Sequence, residues 1–201
     1  MRILRIDEIP SMPWKNGKGS TRLVAEGPGW RISVARVGRD GAFSMFKGTW
    51  RHSVVIAGGP VELLREGGPA VLLKRGVATR YPGDVAWTSR LRGPPAAIVN
   101  IFTEERVCAA VLQRGQQVRC EADAPSVAVF AVNCEATIAY RNGPIQDVLR
   151  PGHVLLRDDP YDSFICSARG LADPSGSYLL GIRIVTIQDP ILGGPGASER
   201  S

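Results

Sequence analysis

Apolar and polar residues alternate along this chain with a period of two, not with the 3.6-residue period of a helix. The clearest case is Trp30-Arg31-Ile32-Ser33-Val34-Ala35-Arg36-Val37, which as an extended strand puts Ile32 and Val34 on one face and Arg31 and Ser33 side by side on the other. Similar segments predict strands at 53–56, 61–64, 71–73, 85–88 and 97–102, punctuated by Gly58-Gly59-Pro60, Gly67-Gly68-Pro69, Pro82-Gly83 and Gly93-Pro94-Pro95. The second half continues in the same style, with strands predicted at 107–112, 127–132, 136–140, 154–156, 163–168 and 179–185. No amphipathic helix pattern interrupts the series. Many short strands at regular turn spacing predict an all-β barrel or sandwich.

One stretch breaks the alternation. Pro13-Trp14-Lys15-Asn16-Gly17-Lys18-Gly19-Ser20-Thr21-Arg22 has a proline that fixes its own φ and two glycines that permit backbone angles closed to other residues, so it is expected to be a shaped loop. It gathers an indole, an amide, two hydroxyls and three cations, a set suited to a small anionic or polar ligand. Basic glycine-containing loops also serve solubility, and Trp14 would equally suit a core plug. The order of residues is not that of a phosphate loop, which excludes the NTPase reading.

Composition narrows the classes. The 201 residues carry 44% hydrophobic and 22% charged positions, as an ordinary globular chain does, and are enough for one large all-β domain or two small ones. A net charge of +6 favours anionic partners, but no lysine run with interleaved aromatics points to nucleic acid. Charges interrupt every apolar run of Met1-Arg2-Ile3-Leu4-Arg5-Ile6-Asp7-Glu8, so no signal peptide is expected, and no apolar run reaches the ~18 residues of a membrane span. The chain is expected to be cytoplasmic, with Cys108, Cys120, Cys134 and Cys166 as thiols.

The order Pro-Trp-Lys-Asn-Gly-x-Gly-Ser-Thr-Arg, followed by Gly29-Trp30-Arg31-Ile32-Ser33-Val34-Ala35 and Asp40-Gly41-Ala42-Phe43-Ser44-Met45-Phe46-Lys47-Gly48, resembles the HutD/Ves family. The likeness is dense to about residue 106. It implies a bicupin, two small β-barrels in one chain, associated with bacterial histidine utilisation. Tyr81-Pro82-Gly83-Asp84-Val85 and Arg150-Pro151-Gly152-His153-Val154 then read as one turn repeated in two related halves. The expected organisation is a first barrel over 1–106, a second over 107–190 reached through a polar passage at 113–125, and a flexible tail at 191–201.

Matched position by position, the resemblance implies a ligand site. Trp14, Lys15, Asn16 and Arg22 come from the signature loop, Arg31 and Ser33 from the next strand, Phe43 and Phe46 from an aromatic turn, Arg51 with its neighbour His52 from beyond it, and Asn100 from the end of the first barrel. Arginines hold a carboxylate by two parallel hydrogen bonds, asparagines read neutral donors and acceptors, and rings wall the pocket. Exposed salt bridges would account for the arginines equally well. The chain departs from the family at Lys18, where a third glycine is usual, at His52, and at Glu104-Glu105, where relatives carry basic residues.

No catalytic engine is visible. The only histidines, His52 and His153, are far apart and neither belongs to a His-x-His pair, so no metal and no other cofactor is expected. There is no nucleophile elbow, and the adjacent carboxylates Glu104-Glu105 and Asp158-Asp159 would point to opposite faces of a strand. The expectation is a non-enzymatic or weakly catalytic protein that binds a small carboxylate metabolite and tunes histidine or wider amino-acid catabolism. The alternative is a metal-independent isomerase or hydrolase with His52 as general base. The second half, with its apolar run Val127-Ala128-Val129-Phe130-Ala131-Val132, reads as a packed interior or as the contact of a homodimer, and Arg157-Asp158-Asp159 as a charged turn.

Overall fold

Every ladder between the strands is antiparallel, as short segments joined by tight turns require. The structure, a computed structural model, describes residues 1–121, 127–141, 146–159, 162–169 and 176–186. The expected tail at 191–201 and the end of the polar passage lie outside them. In chain order the strands are β1 (Arg2–Arg5), β2 (Ser11–Pro13), β3 (Gly19–Gly27), β4 (Trp30–Val37), β5 (Gly41–Ala42), β6 (Thr49–Ala57), β7 (Val61–Leu64), β8 (Val71–Leu73), β9 (Thr79–Pro82), β10 (Thr88–Leu91) and β11 (Ala96–Glu104). There follow β12 (Cys108–Gly115), β13 (Gln117–Cys120), β14 (Val127–Val132), β15 (Glu135–Tyr140), β16 (Gln146–Leu149), β17 (His153–Leu156), β18 (Phe164–Arg169) and β19 (Tyr178–Thr186).

These strands build two pairs of sheets. In the first half, the sheet β2-β3-β4-β11-β6-β9 faces the smaller sheet β5-β10-β7-β8; in the second, β1-β17-β14-β19-β12 faces β13-β18-β15-β16. The chain is all-β, as its alternation predicts. Each half packs two facing sheets around its own core, Val37, Val55, Leu63, Tyr81, Trp87 and Ile98 in the first and Val129, Ile138, Leu149, Leu155, Phe164 and Cys166 in the second.

A third core joins the halves. Ile32, Val34, Val54, Val99 and Ile101 of the larger first sheet pack on Ala128, Phe130, Val154, Leu180 and Ile182 of the second. From Ala128 to Val132 the apolar run at β14 is therefore interior on both faces, Phe130 towards the first half and Val129 into the second. Burying each such side chain contributes about 1.5–3 kcal/mol.

The ladders correct several sequence expectations. The stretch at 13–22 is a loop only from Trp14 to Lys18, because Gly19 opens β3 and Ser20, Thr21 and Arg22 pair with Arg36, Ala35 and Val34. The strand expected at 85–88 starts at Thr88, since Trp87 donates its indole N–H to the Pro82 carbonyl at 2.9 Å and holds 83–87 as a turn. Where a passage between halves was expected, Gln113 lies in β12 and Gln117–Cys120 form β13. β1 leaves the first half and pairs with β17 in the second, Arg2 opposite Leu156, with Arg2 clamped on Asp158 at 2.9–3.0 Å. Arg157 is not a surface turn residue but is buried, donating to the Glu121 carbonyl at 2.9 Å and the Cys120 sulfur at 3.2 Å.

Candidate functional site

The larger sheet of the first half presents two rungs of polar side chains to its own interior. Phe102 on β11 stands opposite Arg31 on β4 and Arg51 on β6, and Arg51 stands opposite Tyr81 on β9. One rung along, Asn100 stands between Ser33 and Ser53. The period of two dictates this: residues 31, 33 and 35, 51 and 53, 100 and 102 share the inward face while Ile32, Val34, Val54, Val99 and Ile101 take the other. Both faces of the sheet are thus buried, one under the second half and one around a cavity.

That cavity has a volume of about 110 Å³ and is lined by Arg31, Ser33, Arg51, Asn100 and Phe102 from the sheet and by Trp14, Thr21, Ala35, Phe43, Ser44 and Phe46. The turn at 14–18 folds over it. The Trp14 backbone N–H donates to the Gly19 carbonyl at 2.9 Å, and the Trp14 indole N–H donates to Thr21 Oγ1 at 2.8 Å, setting the ring edge-on to Phe43 with centroids 5.6 Å apart.

Arg51 dominates the electrostatics. It is 4% exposed, and its guanidinium lies 4.7–5.9 Å from the ring centroids of Phe102, Phe43, Tyr81 and Phe46. Its only hydrogen bond among the described residues is a long one, 3.4 Å from Nη1 to the Ser44 carbonyl, and its Nε has no partner. Arg31 Nε is likewise buried without one. No carboxylate lines the cavity, and neither arginine is in an ion pair among the described residues. Burial pulls the Arg51 guanidinium below its usual range, partly offset by Tyr81, while burial pushes the Tyr81 hydroxyl up.

Behind the arginine, Ser53 Oγ donates to Asn100 Oδ1 at 2.6 Å and lies 2.8 Å from the Tyr81 hydroxyl. With the serine proton spent on Asn100, Tyr81 donates to Ser53, and the amide nitrogen is the remaining donor of Asn100. The walls therefore offer guanidinium, amide and hydroxyl groups between aromatic rings, hydrogen-bond donors of the kind an anion requires.

Not every residue expected in the site is there. Trp14, Arg31, Ser33, Phe43, Phe46, Arg51 and Asn100 share the cavity. Lys15 is exposed and does not line it. Asn16 closes its own turn, its Oδ1 accepting from the Lys18 N–H at 3.0 Å and its Nδ2 donating to the Ala42 carbonyl at 3.2 Å. Arg22 points to the opposite face of β3, where it donates to the Ile9 carbonyl. His52 also faces the other way, beside Trp50, Arg80 and Thr103, because it neighbours Arg51 on a strand. Thr21, Ala35, Ser44 and Phe102 were missed; Ala35 and Phe102 follow Ser33 and Asn100 by two positions, which is the signal that would have found them.

Among the described residues no group of three histidine, cysteine, aspartate or glutamate side chains converges as a metal site would require, and no helix is long and apolar enough to cross a membrane.

Known proteins place this geometry. The HutD family model matches residues 6–170. A curated relative described as an uncharacterized 21.2 kDa protein in the hutC 3′ region of Pseudomonas putida is 29% identical over 154 residues, 73% of this chain and 81% of the relative. Protein Ves of Citrobacter koseri is 31% identical over 117 residues, 55% of this chain and 61% of that protein. Among solved structures, a conserved protein of unknown function from Pseudomonas aeruginosa PAO1 superposes with a TM-score of 0.78 at 27% identity, and HutD from Pseudomonas fluorescens SBW25, solved in a formate condition, with 0.74 at 25%; each alignment covers 93% of this chain and 99% of the other. A cupin 2 conserved barrel domain protein from Leptotrichia buccalis shares the fold alone, with a TM-score of 0.59 at 10% identity over 92% of this chain and 96% of that one. The paired sheets are therefore cupin-like, and the chain belongs to the HutD family.

Proposed function

We propose that this chain binds a small carboxylate in the cavity of its first half, and that binding rather than turnover is how it tunes histidine or wider amino-acid catabolism. One observation carries the reading: Arg51 is buried among aromatic rings with no carboxylate partner among the described residues, and the half-buried Arg31 beside it has a buried Nε without a partner. An unpaired buried charge costs several kcal/mol, and a charge-assisted, two-pronged carboxylate contact is the interaction that offsets it. A cavity of about 150 Å³ holds benzene, so the 110 Å³ here suits a carboxylate and a few further atoms, with the remainder of a larger acid beside the half-buried Trp14 and Phe46. Family membership, and the place of one relative in a hutC 3′ region, support a formylated or imidazole-bearing acid.

The enzyme alternative lacks its base. His52 opens on the far side of the sheet from Arg51, so it cannot accept a proton from a ligand that Arg51 holds. The reading places the chain in a reducing cytoplasm; all four cysteines are free and buried. Isothermal titration with acetate and a series of formylated and imidazole-bearing acids tests it. At least one binds below millimolar, and Arg31→Ala and Arg51→Ala each weaken it by about 1.5–3 kcal/mol. Arg157→Ala leaves affinity unchanged and shows its lost bonds only in stability. No binding below millimolar, or an Arg51→Ala variant that binds as the parent does, overturns the proposal.

A further inference from the structure

The strands that line the cavity carry a second concave surface on their other face. On β3, Thr21 lines the cavity while Ser20 and Arg22 turn away from it; on β4, Arg31, Ser33 and Ala35 line it while Val34 and Arg36 turn away. Between this outer face and the turn after β1 lies a crevice of about 600 Å³. Its far wall is fixed by the Ile6 N–H donating to the Gly152 carbonyl at 3.0 Å, so both halves of the chain contribute to it. Ligand sites favour such junctions, and this volume falls within the range of clefts that hold a drug-sized molecule.

The charge in the crevice is one-sided. Arg5, Arg22 and Arg36 line it, and Asp7 is its one carboxylate among the described residues. Asp7 is taken by Arg5 at 2.9 Å, and Arg5 also meets Glu8 at 3.3 Å. Arg22 is held by a neutral carbonyl, that of Ile9, which orients its guanidinium without balancing its charge. Arg36 is exposed, with no ion pair among the described residues. Two uncompensated guanidiniums and the Ser20 hydroxyl thus border a floor of Val34, Ile56, Ala96 and Pro95. Among the described residues no aromatic ring lines the crevice, which disfavours a nucleobase needing a stacking partner.

We infer that this crevice is a second binding site, for an organic anion with an apolar body, larger than the first cavity can admit. The anionic group sits between Arg22 and Arg36, and the apolar part lies on Val34 and Ile56. The two sites are back to back across β3 and β4. The inference stands whether or not the first cavity takes a carboxylate, because no residue is shared between them.

The test uses 8-anilinonaphthalene-1-sulfonate on the full chain, with the uncharged N-phenyl-1-naphthylamine as its partner probe. The sulfonate binds saturably at one equivalent, and Arg36→Ala and Arg22→Gln each weaken it by about tenfold, whereas Arg141→Ala, which removes an exposed arginine elsewhere, does not. Ala57→Trp, at an exposed position lining the crevice, fills it and abolishes binding with every arginine in place. Arg36→Ala keeps the test decisive should the loss of the Arg22 to Ile9 bond unfold that variant. Equal affinity for charged and uncharged probes, an unchanged affinity in Arg36→Ala, or full binding by a folded Ala57→Trp variant overturns the inference.

Discussion

Arg51 is a residue whose environment costs stability, a cost that the proposed carboxylate would offset. Contacts with the surrounding rings return about 2 kcal/mol or more for a desolvated cation, and its single 3.4 Å hydrogen bond among the described residues adds little, against a burial cost of several kcal/mol. Arg51→Met should therefore stabilise the ligand-free chain by about 1–2 kcal/mol in urea denaturation while abolishing carboxylate binding; a loss of stability would show that the rings already satisfy the charge. His52 makes a second residue-scale prediction. Burial, aided by Arg80, lowers its pKa from 6.5 to about 4, so between those values the unfolded chain binds a proton that the folded chain refuses. Stability falls as pH drops from about 6.5 to about 4 and is unaffected by His52 above that window. His52→Gln should remove this component, flattening the difference in melting temperature from the parent across the window. Both residues stand together in the sequence as Arg51-His52, and nothing in that pair says which faces the cavity; the ladder with β11 decides it, Phe102 opposite Arg51 and Ile101 opposite His52.

At the scale of elements, the turn between β2 and β3 separates two reasons for glycine. Gly17 has φ +65° and open space where a Cβ would stand, whereas a Cβ on Gly19 would lie 2.3 Å from the Arg36 carbonyl oxygen. Gly17→Ala should cost about 1 kcal/mol, the penalty of a left-handed backbone angle. Gly19→Ala should cost more, because the β3–β4 ladder has to part, and should weaken ligand binding too, since Trp14 also packs on Gly19. Denaturant melts of the two variants give the order; equal costs would mean that the ladder yields freely. β4, β7, β8 and β14 were legible from alternation or apolar runs because each carries its signal in its own residues. β3 was not, because glycines and polar side chains suggest a loop, and its strand character comes from partners on both sides, β2 and β4.

On the scale of the molecule, the core shared by Val99, Ile101, Phe130 and Ile182 and the passage of β1 into the later sheet tie the two halves together. Calorimetry should give one unfolding transition, with calorimetric and van't Hoff enthalpies equal; two resolved transitions would mean that the halves fold independently. The sequence alone determined what is local and periodic: an all-β chain, the shared face of Arg31 and Ser33, and a glycine-tethered turn carrying an indole. Period-two geometry leaves a strand no other way to distribute its side chains. Tertiary structure alone decided which face meets which neighbour. Alternation cannot tell a face turned to a cavity from one turned to a second sheet or to water, since all three depend on strands distant in the chain. That is why Arg22 and His52, grouped with Arg51 by the family resemblance, stand across the sheet from it, and why Arg51 is buried with no counter-charge among the described residues, a lack that no local pattern could reveal.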